Sequence, residues 1–202
     1  MADAGKFKKV RLNTEPTPEA LDALNLGDVV YLDGTVYTAR EGAYMRALEN
    51  SDGLPVDLPK ESGANFHCSP AASISDDGSV SMGAVTATAS FRFSKWIGDW
   101  LTLSGAKLIL GKGGMTSKDY KQHFGPNGAI YLTTVGYGTG ALLGRGIIRV
   151  KDVHWRKELG LAQAMWVLEV ENFGPFIVES DRNGDSLFER ENAKIAKGLD
   201  KV

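Results

Sequence analysis

The chain has 202 residues, of which 43% are hydrophobic and 24% are charged, which is ordinary for a globular protein with one core. Its formal net charge of -2 argues against a nucleic-acid-binding surface, and no apolar run is long enough to cross a membrane. The first residues lack the apolar core of a signal peptide, so we expect a cytoplasmic protein.

The only cysteine is Cys68. One thiol cannot form an internal disulfide, and it cannot by itself hold a zinc ion or an iron–sulfur cluster, so we predict no metal site on this chain. His67 is its direct neighbour and not a spaced catalytic partner. We therefore interpret Cys68 as a small buried hydrophobe, with a catalytic nucleophile as the less favoured alternative.

In chain order, residues 1–19 are predicted to form an extended N-terminal segment, because residues before proline avoid the helical conformation. Residues 20–190 form the main domain, and residues 191–202 form a polar C-terminal helix or tail. The predicted strands of this chain cover residues 28–32, 35–39, 80–87, 107–110, 129–135, 165–171 and 176–178. The predicted helices cover residues 40–49, the segment between 88 and 105, the segment after 115 and the segment from 187.

The segment after Thr88 has the strongest helical pattern, since its apolar residues recur at helical spacing until Gly105 supplies a stop. The tryptophans of this helix are predicted to lie in the core. The helix after residue 115 is expected to have Thr116 or Ser117 as its N-cap. The alternation of strands and helices predicts an α/β domain with a mostly parallel central sheet, supplemented by antiparallel strands where helices are missing.

Two glycine-rich stretches invite a comparison with nucleotide-binding loops. Around Lys112 the glycine that would have to open a phosphate-binding loop, Gly105, is one residue too distant, and Gly113 stands where Ser or Thr would hold magnesium. The stretch GYGTGALLGRG, residues 136–146, lacks the GxGxxG spacing, and the β-branched run after it leaves too little room for a crossover helix. We interpret its glycines as sites of close backbone packing, and keep a dinucleotide turn as the less favoured alternative.

Three cations, Arg40, Arg92 and Lys112, each lie where a predicted strand passes into a helix. In open α/β sheets this edge is the usual ligand site, and helix N-termini there favour anions. The pattern therefore suggests a pocket for a small polyanion, although separate surface charges would give the same spacing.

Four stretches occur in an order that is typical of one family: GDVVYLDGTVYTAREGAYMRALE, VTATASFRF, LILGKGGM and LGLAQAMWVLEVENFGPFIVESDRNGDSLF. Together, over about residues 20–190, they resemble the β subunit of two-subunit class I fumarases and L(+)-tartrate dehydratases. The resemblance implies a swivelling β/β/α domain and a hydro-lyase that adds or removes water on a small 2-hydroxy dicarboxylic acid. Fumarate and malate are the first expectation for the substrate, tartrate the second and a related 2-hydroxy acid the third.

The resemblance also implies a division of labour between two subunits. An α subunit would hold a [4Fe–4S] cluster, and this chain would be active only with that partner, in a hetero-oligomer of two α and two β subunits. The active site would lie between the subunits. A non-catalytic small-anion-binding or scaffold domain of the same fold is the alternative function.

By the same resemblance, Arg40 and Arg92 contact the substrate carboxylates, Lys112 lies close by, and Thr88 takes part in moving the proton. The predicted substrate-binding set of this chain is Arg40, Tyr44, Ala89, Ser90, Arg92 and Lys112.

The sequence departs from the family pattern near these positions. The family's Asp, His and second Thr are here Glu41, Tyr44 and Ala89, and its Gly-Pro is Ser69-Pro70. Tyr44 replaces a titratable ring with a phenol, and Ala89 lacks a hydroxyl. These changes leave the identity of the diacid open.

Overall fold

A computed structural model describes residues 8–50, 52–136 and 138–199 of the chain. Its strands are β1 (Lys9–Asn13), β2 (Val29–Thr38), β3 (Ala64–Phe66), β4 (Cys68–Ile74), β5 (Val80–Ala87), β6 (Leu108–Gly111), β7 (Ile130–Thr134), β8 (Ile147–His154) and β9 (Met165–Ser180). Its helices are α1 (Pro18–Asp22), α2 (Glu41–Tyr44), α3 (Leu58–Glu61), α4 (Ser94–Ser104), α5 (Ser117–Asp119), α6 (Gly125–Asn127), α7 (Thr139–Arg145), α8 (Arg156–Leu159) and α9 (Leu187–Leu199). The π-helical turns Met45–Glu49 and Tyr120–Phe124 extend α2 and α5, and a 3-10 turn, Ser90–Phe93, precedes α4.

The strands in the described part of the chain form a mixed seven-stranded sheet and a separate β4–β5 hairpin. Neighbours in the order β1-β2-β3-β6-β7 are parallel, whereas β9 is antiparallel to β7, β2 and β8. Because β9 pairs with both β7 and β2, the pairings of β2, β3, β6, β7 and β9 close into a ring. The predicted mixture of helices and strands is confirmed, but β9 alone adds three antiparallel pairings to the four parallel ones, so the sheet is mixed.

The ring encloses the main core of the protein. One buried side chain from each ring strand, Leu32, Phe66, Leu110, Leu132 and Phe176, belongs to a single apolar cluster. Burying a side chain of this size stabilises the fold by about 1.5–3 kcal/mol, so this cluster is a major source of stability.

Helices α2 and α4 pack outside the ring around a second, aromatic cluster. The Tyr44 ring stacks on Trp100 at 4.2 Å and on Phe93 at 5.2 Å between centroids. Trp96 and Trp100 are buried, which confirms the predicted core position of these tryptophans. Within the described ranges, no helix combines the length and the apolar character needed to cross a membrane.

Several predicted boundaries agree with the structure. Helix α4 ends at Gly105, which takes the left-handed conformation with φ 65°, and Thr116 caps α5 in a capping box with Asp119. Helix α9 begins at Leu187 as predicted, while residues 200–202 lie outside the described residues.

Other elements differ from the prediction. The two predicted segments at 28–39 are one strand, β2, and those at 165–178 are one strand, β9. Strands β3 and β4 were missed, since β3 has only three residues and β4 contains a proline. In the predicted N-terminal segment, residues 1–7 lie outside the described residues, but β1 pairs with β2 and is part of the sheet.

Candidate active site

The candidate site lies at the edge where β2, β3 and β6 end. These strands are parallel neighbours, so their carboxyl ends meet at one edge of the sheet. Backbone hydrogen bonds continue past the strands, from Ala39 N–H to the Phe66 carbonyl at 3.2 Å and from His67 N–H to the Leu110 carbonyl at 2.8 Å. The residues that directly follow the three strands are therefore held side by side.

The segment after β5 inserts into this edge. Thr88 N–H donates to the His67 carbonyl at 2.6 Å, Lys112 N–H donates to the Thr88 carbonyl at 3.2 Å, and Ser90 N–H donates to the Lys112 carbonyl at 3.2 Å. Ala89 and Lys112 thus pair as a short parallel bridge. The backbone itself brings together Thr88 and Lys112, which lie far apart in sequence.

The two arginines flank this segment. Arg40 occupies the N-cap position of α2, and its Nη1 donates to the Ala162 carbonyl at 3.0 Å, while its buried Nε has no hydrogen-bond partner among the described residues. Arg92, on the 3-10 turn, pairs with Glu41 at 3.6 Å between Nη2 and Oε2. The segments that carry the two arginines, the threonine and the lysine thus adjoin one edge of the sheet, and the shared role of these four residues stays a prediction.

The Arg92–Glu41 pair is weak enough to be exchanged for another anion. Both side chains are about half exposed, at 52% and 51%, and exposed ion pairs of this kind contribute only about 0–1 kcal/mol. A carboxylate that reached Arg92 through two parallel hydrogen bonds would compete well with a single contact at this distance.

Tyr44 and Ser90 occupy different positions from those expected of substrate-binding residues. Both are fully buried, and both hydroxyl groups contact His67, at 2.7 Å from Tyr44 and 2.8 Å from Ser90. Neither side chain offers a free surface to a ligand, so a direct contact with substrate is at odds with the structure. Ala89, by contrast, is only partly buried and lies on the bridge to Lys112.

His67 is the residue of this region that sequence reasoning missed. It was considered only as a neighbour of Cys68, yet it lies directly after β3 and its ring contacts two predicted site residues. Burial lowers the pKa of His67 to about 3, so its ring is neutral at physiological pH. No local sequence signal pointed to His67, because the strand before it, Ala64–Phe66, has only three residues and was not recognised.

The position of Cys68 confirms that it is a small buried hydrophobe. The side chain is 1% exposed and belongs to the main core, and burial raises the pKa of its thiol. A thiol in this setting stays protonated and unreactive.

A pocket of about 580 Å³ opens beside Lys112. Its wall consists of the end of β5, Thr134 at the end of β7, Gly136 in the loop that follows, and the first residues of α7. Lys112 gives this mostly apolar pocket a positive charge.

The glycines of α7 allow this wall to form. A Cβ on Gly140 would lie 2.9 Å from the Val85 carbonyl oxygen, and one on Gly144 would overlap the Gly83 carbonyl oxygen. The interpretation of this stretch as a site of close backbone packing is confirmed at these two positions. Tyr137, in the same stretch, lies outside the described residues.

A mixed α/β domain that gathers cations from three segments at one sheet edge is suited to bind a small anion carrying more than one negative charge. The chain belongs to the family described as fumarase C-terminus, whose model matches residues 1–191. The resemblance inferred from the four sequence stretches is thereby confirmed.

Individual relatives support the same assignment. The chain is 35% identical over 189 residues to a Methanocaldococcus jannaschii protein provisionally named L(+)-tartrate dehydratase subunit beta, covering 92% of this chain and 94% of that protein. It is 33% identical over 191 residues to the L(+)-tartrate dehydratase subunit beta of Escherichia coli K12, covering 94% and 90%. A Geobacillus stearothermophilus protein provisionally named class I fumarate hydratase is 31% identical over 180 residues, which is 89% of this chain but 34% of that protein.

Proposed function

We propose that this chain is the β subunit of a hydro-lyase that adds or removes water on a small 2-hydroxy dicarboxylic acid. The observation that carries the proposal is the meeting of Thr88, Arg92 and Lys112 with the Arg40 end of α2 at one edge of the sheet. The names of the relatives supply the reaction class and the partner. Since the relatives that match over nearly their full length are tartrate dehydratase subunits, L(+)-tartrate stands beside malate and fumarate as a substrate to test.

The two arginines would bind and orient the substrate. A guanidinium group binds a carboxylate through two parallel hydrogen bonds, and two such groups suit the two ends of a dicarboxylate. Glu41 would leave Arg92 when the substrate arrives, because their exposed ion pair is weak. Arg40 as a whole is only partly buried, so the accessible N–H groups of its guanidinium would bind the second carboxylate.

Lys112 and Thr88 would act on the reacting carbon. Loss of a proton next to a carboxylate builds up negative charge, and a nearby lysine stabilises that charge as a point cation. The Thr88 carbonyl accepts a hydrogen bond from the Lys112 backbone N–H, and this contact would keep the Thr88 hydroxyl near the same carbon. A threonine hydroxyl is a weak base on its own, so an acid or base from the partner would share the proton transfer.

The residues of this chain do not fit an iron–sulfur cluster. Cys68 is its single cysteine and is buried in the core, and within the described ranges no group of three or more His, Cys, Asp or Glu is arranged to hold a metal. We therefore propose that an α subunit holds the [4Fe–4S] cluster. We also propose the swivelling β/β/α description for this domain, supported by its two sheets and flanking helices.

Replacement of Arg92 tests this function in the complex of the chain with its α-type partner. Losing a charge-assisted hydrogen bond costs about 1.5–3 kcal/mol, so Arg92→Ala should lower kcat/KM by about tenfold to a hundredfold or more. The measurement is turnover of malate, fumarate and L(+)-tartrate under anaerobic conditions.

Lys197→Ala is a matched control. Lys197 is an exposed cation on α9, which follows β9 at the opposite edge of the sheet, so the control should keep full activity. Equal activity of the Arg92→Ala and wild-type complexes would remove Arg92 from the site. A wild-type complex that binds these acids but turns over none of them would favour the alternative of a small-anion-binding domain.

A further inference from the structure

A chain of hydrogen-bonded polar side chains lies beneath the candidate site. His67 Nε2 lies 2.7 Å from the Tyr44 hydroxyl, His67 Nδ1 lies 2.8 Å from Ser90 Oγ, and the Tyr131 hydroxyl donates to Ser90 Oγ at 2.7 Å. All four side chains are fully buried. We call them the Tyr44–Tyr131 network.

Three members of the Tyr44–Tyr131 network lie on or beside the segments that carry the predicted cations. Tyr44 lies on α2, the helix that Arg40 opens, and Ser90 begins the turn that carries Arg92. Ser90 and Tyr131 both pack against Gly111, the residue before Lys112. A Cβ on Gly111 would overlap the Ser90 hydroxyl and lie 2.6 Å from the Tyr131 hydroxyl. One buried network thus contacts all three cation-bearing segments.

The network contains no formal charge, since burial keeps His67 neutral and raises the pKa of Tyr44 and Tyr131. A neutral imidazole has one donor and one acceptor nitrogen, so both of its contacts can be satisfied at once. Buried polar networks whose members are paired rigidify their surroundings, because breaking one contact leaves a buried group without a partner. A neutral and paired network of this kind is suited to hold the surrounding segments in place, and it does not release a proton at physiological pH.

We propose that the Tyr44–Tyr131 network is a positioning device that fixes Arg40, Arg92 and Lys112 relative to one another, an inference that rests on the proposed hydro-lyase function for its kinetic consequence. Its members act through the cations and do not touch the substrate. Tyr44 and Ser90, expected from sequence to bind substrate, take part in the site in this indirect way.

Tyr131→Phe is the sharpest test, because it removes one oxygen from the network at a residue 41 positions away from Ser90 in sequence. In the assembled complex it should lower kcat/KM by about tenfold, which corresponds to the loss of one buried hydrogen bond. If it acts by placing Arg92 and Lys112, the loss should be smaller in an Arg92→Ala background and in a Lys112→Ala background than in the wild-type background. Tyr37→Phe, at an equally buried tyrosine outside the network, should have no effect in any of these backgrounds.

Losses of equal size in the wild-type, Arg92→Ala and Lys112→Ala backgrounds, or no loss in the wild-type background, would overturn the proposal. Tyr44→Phe, at the other end of the network, should repeat the result and replaces Tyr131→Phe if that variant does not fold. Thermal unfolding of each variant shows whether the fold is kept.

A second measurement does not depend on turnover. In amide hydrogen exchange of the full chain, Tyr131→Phe should speed exchange of residues 88–93 and 111–115 by about tenfold or more, and Tyr37→Phe should not. Unchanged exchange in these two segments would reject the positioning role. An inactive wild-type complex that still shows this exchange pattern would reject the hydro-lyase function and leave the network intact, so the two failures are distinguishable.

Discussion

At the scale of single residues, His67 links the buried network to the pH dependence of stability. An unperturbed histidine titrates at about pH 6.5, whereas burial lowers the pKa of folded His67 to about 3. Between these two values the unfolded chain binds a proton that the folded chain excludes. The contribution of His67 to the free energy of unfolding is therefore fully present above about pH 6.5 and is lost as the pH falls toward 3, with a limiting slope of about 1.4 kcal/mol per pH unit.

His67→Gln should remove this slope. The measurement is urea unfolding of the full chain at a series of pH values between about 5 and 7, where carboxylates contribute less than they do at lower pH. His123→Gln changes a partly buried histidine elsewhere in the chain and should keep the wild-type slope. The same slope in the His67→Gln variant and in wild type would show that His67 does not remain neutral on folding.

At the scale of elements, the packing of α7 on β5 shapes the pocket beside Lys112. Gly140 and Gly144 are one helical turn apart and place the helix backbone directly on the strand backbone. Larger residues cannot occupy these positions without moving the helix away from β5.

Gly140→Ala and Gly144→Ala should each destabilise the chain by about 1–3 kcal/mol, since the overlap with β5 outweighs the gain of up to about 1 kcal/mol in helix propensity. Gly198→Ala is the matched control, because a Cβ at Gly198 in α9 meets nothing within 4 Å. That control should be neutral or slightly stabilising. Urea unfolding checks all three variants, and wild-type stability of Gly140→Ala and Gly144→Ala would contradict the close packing of α7 on β5.

The elements that depend on local sequence features could be predicted from sequence, and those that depend on distant contacts could not. Helix α4 and its stop at Gly105 were predictable, because helical periodicity and a glycine C-cap are local features. Strand β3 was not, because three residues carry no usable periodicity and its strand character comes from pairing with β2 and β6. Closure of the ring by β9 was likewise beyond prediction, since it depends on contacts distant in sequence.

The features of the candidate site also differ in whether they could be predicted from sequence. Arg40 and Lys112 were predictable at this edge because they follow β2 and β6, and strands that run parallel end at one edge. Arg92 reaches the edge by another route, because it follows β5 of the separate hairpin and the segment after β5 inserts there. The burial of Tyr44 and the role of His67 were not, because both depend on how α2 and α4 pack over the ring. Residue type and spacing identified the cations, while packing decided which neighbours have access to a ligand.

At the scale of the whole molecule, the cation-bearing edge has features of a surface that a partner covers. Phe91, between Ser90 and Arg92, is 62% exposed. Leu142 is 51% exposed and lies on α7, the helix whose neighbouring residues form part of the pocket wall. Large apolar side chains beside a functional site are typical of protein interfaces. A substrate held at this edge would be enclosed only when a second subunit covers it, which would exclude bulk water from the reaction.

We propose that this chain supplies the substrate-binding half of an active site that is divided between two subunits. The most direct measurement compares iron content and anaerobic turnover of malate, fumarate and L(+)-tartrate for the chain alone and for its complex with an α-type partner. We expect the chain purified alone to be folded but to lack stoichiometric iron and turnover, because one buried cysteine cannot hold the cluster. The complex should contain iron and turn over substrate. Stoichiometric iron or robust turnover by the chain alone would contradict this proposal.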